Sequence, residues 1–126
     1  MKRLDSHTLG IEQGELVSFS DFQAGGDMWT GKGDRIVRRC VEFSEAFRKA
    51  PSVMVNLSMW DTDHATNTRM DLRADDITER GFDVVFQTWG DTRVARIRVG
   101  WTAMGMVHED DAIGNFINPS RRLPAY

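Results

Sequence analysis

The alternation of apolar and polar residues over positions 81–104 limits this chain to β-structure more strongly than any other stretch. Apolar side chains recur at every second position in two runs, one of Phe82, Val84 and Phe86, the other of Ile97, Val99, Trp101 and Ala103. A period of two is the repeat of a strand with one buried face. Because the turn residues Gly90, Asp91 and Thr92 separate the runs, the pattern predicts a β-hairpin. Trp89 has the opposite phase to the first run, so its indole is expected to point away from the core.

Four earlier segments carry the same alternation and are predicted strands: residues 15–20, 36–43, 52–60 and 70–74. The clearest is 52–60, where Val53, Val55 and Leu57 share one face and Pro51 marks the start. No stretch has the 3.6-residue repeat of a helix over a helical length; residues 42–50 come nearest and are stopped by Pro51. Six strands at this spacing predict an all-β fold, a six-stranded antiparallel β-sandwich.

A chain of 126 residues fits one domain with its own core. The sequence predicts an N-terminal arm at 1–14, a sandwich domain at 15–105 and a C-terminal tail at 106–126, where Pro119 and Pro124 oppose regular structure. The basic start lacks an apolar segment behind it, so no Sec-type signal is expected. No membrane span is expected either, because no stretch approaches about 20 apolar residues.

Charge and cysteine content narrow the function classes. The 16 basic and 19 acidic residues give a net charge of -3 without a basic run, which argues against a nucleic-acid partner. Cys40 is the single cysteine, which excludes an intrachain disulfide and favours a reducing compartment. The expectation is a soluble protein, cytoplasmic by default or exported as part of an assembly.

The direction of the strands predicts where function resides. Antiparallel strands joined by short connections alternate in direction, so the loops after strands one, three and five meet at one end of the sandwich. This brings together Gly33 and Asp34, residues 60–69, and residues 89–91. The first of these loops, 21–34, is longer than usual for a compact domain, which is typical of a functional loop.

The residues at this end of the sandwich give little indication of a catalytic site or a metal site. Asp61, Asp63 and His64 could ligate a divalent metal, but a solvated turn with aspartates bonding the backbone is the favoured interpretation, and no metal or other cofactor is expected. The histidines at 7, 64 and 108 lie in separate segments without a neighbouring nucleophile. The sequence therefore predicts a protein that is not an enzyme.

A saccharide suits the converged loops better. A pyranose offers a patch of C–H groups to an indole such as Trp89, and hydroxyls to an aspartate such as Asp34 or to a guanidinium. Each residue also has a structural alternative: Trp89 as a contact between subunits, Asp34 as a turn cap and Arg69 in a cross-strand ion pair.

Several short motifs together resemble the H-type lectin domain, the family of snail agglutinins and of the C-terminal domain of discoidins. They are A-P-S-V-x-V-x-L-S at 50–58, Asn67-x-Arg69, Gly81-Phe82, Thr88-Trp89, Thr92-x-Val94 and Trp101. The resemblance covers about residues 15–105. It implies a six-stranded sandwich, homotrimers, and sites for galactose or N-acetylgalactosamine at clefts between subunits.

The same resemblance implies which residues touch the sugar. The carbohydrate aspartate resembles Asp34, with Gly33 nearby; the tryptophan resembles Trp89; and the arginine resembles Arg69, which is expected to reach across from the neighbouring protomer. Where the snail lectins carry a histidine and a tyrosine, this chain has Gly90 and Ala95. The alternative is therefore a structural trimerisation or adhesion module of a larger assembly, with lost or altered sugar binding.

Overall fold

The computed structural model describes residues 1–4 and 8–108. Its elements are β1 (Leu9–Ser20), α1 (Asp27–Thr30), β2 (Arg35–Glu42), β3 (Ser52–Thr62), β4 (Asp71–Asp75), β5 (Gly81–Thr88) and β6 (Val94–Met106). The strands form two antiparallel three-stranded sheets, one ordered β1-β6-β3 (the β6 sheet) and one ordered β2-β5-β4 (the β5 sheet). The predicted antiparallel β-sandwich is confirmed. Within the described residues, no helix is long and apolar enough to cross a membrane.

The core lies between the two central strands. The faces predicted from the alternation are the buried ones: Phe82, Val84 and Phe86 on β5, and Ile97, Val99, Trp101 and Ala103 on β6. The rings of Phe82 and Trp101 pack edge to face across the two sheets, with centroids 5.5 Å apart. Burying one such side chain contributes roughly 1.5–3 kcal/mol, so the two rings together are a substantial but partial contribution to the core.

The predicted hairpin between these two strands is wrong, because β5 and β6 belong to different sheets. Both edges of β5 are already paired, one with β2 and the other with β4. The alternation identified which faces are buried, but it carries no information on which strands share hydrogen bonds. The connection after β5 therefore crosses from one sheet to the other, and Gly90 turns it with a φ of +70°.

β1 begins six residues earlier than predicted, at Leu9, so residues 9–14 belong to the sheet rather than to an arm. Two glycines concealed the strand. A Cβ at Gly14 would lie 2.7 Å from the Trp101 ring, and one at Gly10 would collide with Val107. At these two inward positions of β1, the side chains of Val107 and Trp101 fill the space that an apolar side chain would occupy. The strand therefore lacks the alternation of apolar and polar residues by which strands are recognised in a sequence. The predicted tail from residue 109 onward lies outside the described residues.

The outer faces of both sheets carry charged side chains, and the β6 sheet also exposes large apolar ones. On the β6 sheet, Ile11, Val17 and Met54 point away from the core and are exposed. The β5 sheet carries ion pairs, in which Arg38 lies 3.0 Å from Asp75. The β4 residues Asp71 and Arg73 also form an ion pair there. On the β6 sheet, polar side chains separate the exposed apolar ones; these include Gln13, Glu15 and Arg98.

Candidate functional site

The connections after β1, β3 and β5 meet at one end of the sandwich, here called the rim (residues 21–34, 61–70 and 89–93). The backbone N–H of Gly33 donates to the carbonyl of Gly90 at 2.9 Å, and the N–H of Asp63 donates to the carbonyl of Arg93 at 3.0 Å. These bonds join the third connection to each of the other two. The predicted convergence of the loops is therefore confirmed.

Arg69 is held at the rim through its backbone. Its N–H donates to Oγ1 of Thr92 at 3.1 Å, and its carbonyl accepts a hydrogen bond from Oγ1 of Thr88. Both threonines are fully buried, so their hydroxyls have little freedom to rotate away. The segment that carries Arg69 is thereby fixed against the end of β5.

The guanidinium of Arg69 is held by a carboxylate of its own chain. Its Nη1 lies 2.9 Å from Oδ1 of Asp91, which also accepts a hydrogen bond from Nδ2 of Asn67 at 3.3 Å. The ion pair that the sequence offered as an alternative therefore exists, but its partner is a loop residue and not a cross-strand neighbour. Arg69 also lies beside Gly90 of the same chain, the residue that follows Trp89.

The charge of Asp91 is stabilised by this arrangement. Desolvation acts to raise the pKa of Asp91, but hydrogen bonds from the backbone and side chain of Asn67, together with the charge of Arg69, outweigh it and lower the pKa below its usual range. The carboxylate is ionised at neutral pH, as an ion pair with Arg69 requires.

Arg35 is a structural cation beneath the rim that the sequence did not reveal. It is only 7% exposed, and its guanidinium donates to four carbonyls, those of Gly33 (3.0 Å), Asp27 (3.3 Å), Met28 (3.3 Å) and Gly90 (3.2 Å). A buried guanidinium with five N–H donors is tolerated when carbonyl oxygens surround it. The sequence did contain one indication of this role. Arg35 is the first residue of β2 and directly follows a glycine-rich loop, whose backbone carbonyls need hydrogen-bond donors.

The remaining predicted residues leave an open surface. Trp89 is 38% exposed, and Asp34 is exposed with no hydrogen bond or ion pair to any residue that the structure describes. Gly33 adopts a φ of +73°, and a Cβ there would meet no atom within 4 Å. A Cβ at Gly90 would lie 3.3 Å from Nη1 of Arg69, so the glycine leaves that guanidinium uncovered. The five predicted residues thus lie on one rim, and the turn-cap alternative for Asp34 is not seen among the described residues.

Ala95 lies below this surface. It is buried, and its carbonyl accepts hydrogen bonds from the N–H groups of Asp21 (2.7 Å) and Phe22 (3.2 Å). The position where the snail lectins carry a tyrosine is therefore part of the packed sheet in this chain and not of the exposed rim.

The aspartates that the sequence offered as metal ligands have other partners. Oδ1 of Asp63 accepts from the N–H of Ala65 at 3.0 Å, which is the backbone bond that the solvated-turn interpretation predicts, and Oδ2 accepts from Arg93 at 3.2 Å. Asp61 lies 3.4 Å from Arg96. Across residues 1–4 and 8–108, no three potential ligands are grouped closely enough to hold a metal ion.

The exposed end of the β-sandwich thus presents an indole, a guanidinium held by an ion pair, and a carboxylate that has no partner among residues 1–4 and 8–108. The H-type lectin domain family model matches residues 38–104, more than half of the chain. The chain belongs to the H-type lectin domain family, and its class is that of non-enzymatic carbohydrate-binding proteins.

Individual relatives agree with this assignment. The chain is 54% identical over 104 residues to the protein named ATP synthase subunits region ORF 7 of Fuscovulum blasticum, in an alignment that covers 82% of this chain and 90% of that protein. It is 34% identical over 99 residues to a discoidin-1 polypeptide of Dictyostelium discoideum, covering 71% of this chain but only 39% of the discoidin. The structure of recombinant discoidin II of the same organism superposes with a TM-score of 0.69 at 23% identity, over 84% of this chain and 41% of that one, a likeness of fold.

Proposed function

We propose that the rim binds a sugar of the galactose or N-acetylgalactosamine type. Trp89 supplies the surface on which the C–H face of the pyranose stacks, Asp34 accepts hydrogen bonds from its hydroxyls, and Arg69 donates to them. Gly33 and Gly90 leave the space above these groups open. The observation that carries the proposal is the position of the Arg69 guanidinium, which Asp91 holds beside Gly90, the residue that follows the exposed Trp89.

Pre-organisation is what makes this arrangement suitable for a weakly bound ligand. An arginine held by an ion pair and a clamped backbone loses little side-chain entropy when a hydroxyl arrives. The Nη1 atom of Arg69 pairs with Asp91, and among the described residues its Nε and Nη2 groups have no acceptor. Those groups are available to the ligand.

We also propose that the protein works as a homotrimer with its sugar sites at the clefts between subunits, as the family resemblance implies. The outer face of the β6 sheet supports self-association, because large apolar side chains are exposed on it among polar ones; these are Ile11, Val17 and Met54. A trimer displays three rims, so the protein would bind surfaces that carry many copies of the sugar.

A glycan array with the purified protein tests the proposal, with Trp89→Ala as the variant and Trp60→Ala as its matched control. Trp60 is another exposed tryptophan, on β3, outside the proposed set of sugar contacts. Binding to galactose- or N-acetylgalactosamine-terminated glycans that is lost in Trp89→Ala and kept in Trp60→Ala supports the proposal. Equal binding by both variants, each with unchanged mass and fold, contradicts it.

The second candidate is a trimerisation or adhesion module of a larger assembly that has lost or altered sugar binding. The in-chain ion pair between Arg69 and Asp91 favours it, because part of the guanidinium is already neutralised. An intact trimer by native mass spectrometry together with no array signal at high glycan density would select this candidate.

A further inference from the structure

The rim contains a second arginine–aspartate pair near a tryptophan, on the side of the β6 sheet. Arg69 pairs with Asp91 and lies beside Gly90, which follows Trp89. Arg93 similarly has its Nη1 3.2 Å from Asp63, and its guanidinium carbon lies 4.2 Å from the centre of the Trp29 ring. The first group stands at the ends of the β5 sheet. The second stands at the ends of the β6 sheet, and nothing in the proposed function above uses it.

Arg93 is fixed as firmly as Arg69. Its Nε donates to the carbonyl of Trp29 at 2.8 Å, its Nη1 donates to Asp63, and its planar group stacks on the indole. The side chain is nevertheless 40% exposed. Of its five N–H donors, the described residues occupy two, so the others remain for an external acceptor. A guanidinium that is both held and exposed is a suitable donor for vicinal hydroxyls.

An aromatic surface lies next to it. Phe22 is 58% exposed, more than Trp89, and its ring meets the Trp29 ring edge to face with centroids 5.0 Å apart. The N–H of Phe22 donates to the carbonyl of Ala95, so its backbone is tied to the start of β6. An exposed phenyl ring on a fixed backbone offers a stacking face to the C–H groups of a sugar, and covering it removes apolar surface from water.

The two groups are close enough to serve one ligand. Asp91 and Arg93 are separated by a single residue, so their Cα atoms are at most about 7 Å apart. The N–H of Asp63 is bonded to the carbonyl of Arg93, which fixes these two residues of the second group relative to each other. Neighbouring units of one oligosaccharide could therefore contact both.

We propose that Phe22 and Arg93, with Asp63 holding the arginine, form a second saccharide subsite on the rim, which receives the sugar unit next to the one bound at Trp89. The inference rests on the proposed function and deepens it: the ligand is an oligosaccharide, not an isolated monosaccharide. Its structural alternative is that Arg93 only ties the three connections together and Phe22 only covers Trp29.

Paired binding measurements separate these roles. The probes are free galactose and N-acetylgalactosamine, and disaccharides with either sugar at the non-reducing end, each competing with a glycan surface. Phe22→Leu keeps an apolar side chain but removes the ring, whereas Phe22→Tyr keeps the ring. We expect Phe22→Leu to weaken disaccharide binding by about 2- to 10-fold, with monosaccharide binding unchanged and Phe22→Tyr close to the parent.

Arg93→Lys provides the second test, since lysine keeps the charge but lacks the planar fork. We expect it also to reduce the preference for disaccharide over monosaccharide, in protein whose circular dichroism spectrum matches the parent. A parental preference for disaccharides that survives both Phe22→Leu and Arg93→Lys overturns the subsite while leaving the Trp89 site in place. Absence of any glycan binding by the parent overturns the proposed function and the subsite with it.

Discussion

The Asp91 carboxylate holds the Arg69 guanidinium at 2.9 Å, and both residues flank the glycine that follows Trp89. Asp91 is therefore a positioning residue: it sets where the arginine stands but has no assigned contact with the sugar. The pair is half exposed, so its importance lies in geometry and not in stability.

Asp91→Ala is expected to weaken glycan binding about 3- to 10-fold while the melting temperature stays within a few degrees, because the arginine regains rotamer freedom that binding must then remove. The matched control is Asp71→Ala, which breaks a comparable exposed pair with Arg73 (2.6 Å) on the β5 sheet. Surface plasmon resonance on a glycan-coated chip measures both. Equal binding losses in the two variants would show that Asp91 has no special role.

The buried guanidinium of Arg35 gives an expectation about stability. Arg35→Met removes the guanidinium donor from the carbonyls of Gly33, Asp27, Met28 and Gly90. The carbonyls of Asp27 and Gly90 keep a backbone donor, and we expect the free energy of unfolding to fall by about 2–4 kcal/mol. Arg96→Met removes an exposed arginine whose ion pair with Asp61 spans 3.4 Å, and we expect a change below about 1 kcal/mol. Urea unfolding followed by tryptophan fluorescence compares them. A loss for Arg35→Met no larger than that for Arg96→Met would mean that water replaces the guanidinium at little cost.

The lowered pKa of Asp91 sets the pH range of the site. An aspartate with a folded-state pKa below its unfolded value of about 3.9 stabilises the fold above that value, and the contribution is lost as pH falls through the folded pKa. Glycan binding is therefore expected to be constant from pH 7 to about pH 5 as far as Asp91 is concerned. The side-chain carboxyl resonance of Asp91, followed by NMR during acid titration, reports this directly; a midpoint above the unfolded value would contradict it. Asp75 also has a lowered pKa, chiefly through its hydrogen bond from Arg38, so global acid stability alone does not isolate Asp91.

Features of the fold that depend on neighbouring residues in the sequence could be predicted. Features that depend on how the strands pair in the assembled sandwich could not. The alternation at Phe82, Val84 and Phe86 identified a buried face correctly, because side-chain direction in a strand follows from sequence spacing. The pairing of β5 could not be predicted in the same way. It depends on β2 and β4 occupying its edges, and periodicity does not encode the partners of a strand.

The site likewise contains residues that could be predicted and residues that could not. Strand direction was enough to bring Gly33, Arg69 and Trp89 to one end, and the sugar roles came from the family motifs. The groups that hold them could not be predicted, because Arg35, Thr88 and Thr92 act through carbonyls and hydroxyls that meet only in the folded protein. Their residue types also occur widely at strand ends, where they have no such role.

The affinity of one site is expected to be low. The available contacts are Trp89, Asp34 and Arg69, and Gly90 contributes no side chain, so a free monosaccharide should bind with a dissociation constant on the order of millimolar, about -4 kcal/mol. A trimer that engages a glycan-coated surface through several sites can exceed this affinity by roughly 10²- to 10⁴-fold without any new contact. Strong surface binding with barely measurable monosaccharide binding is the expected pattern.

Met54→Glu separates avidity from intrinsic affinity. Met54 is 64% exposed on the outer face of the β6 sheet, so a charge there should leave the fold intact and oppose self-association through that face. Native mass spectrometry at low micromolar concentration should then show monomer, and surface binding should fall by about 10²- to 10⁴-fold. Because the proposed sites lie at clefts between subunits, monosaccharide binding should fall as well; if it is unchanged in the monomer, each chain carries a complete site of its own. A Met54→Glu protein that remains trimeric would instead show that the subunits do not meet through this face of the β6 sheet.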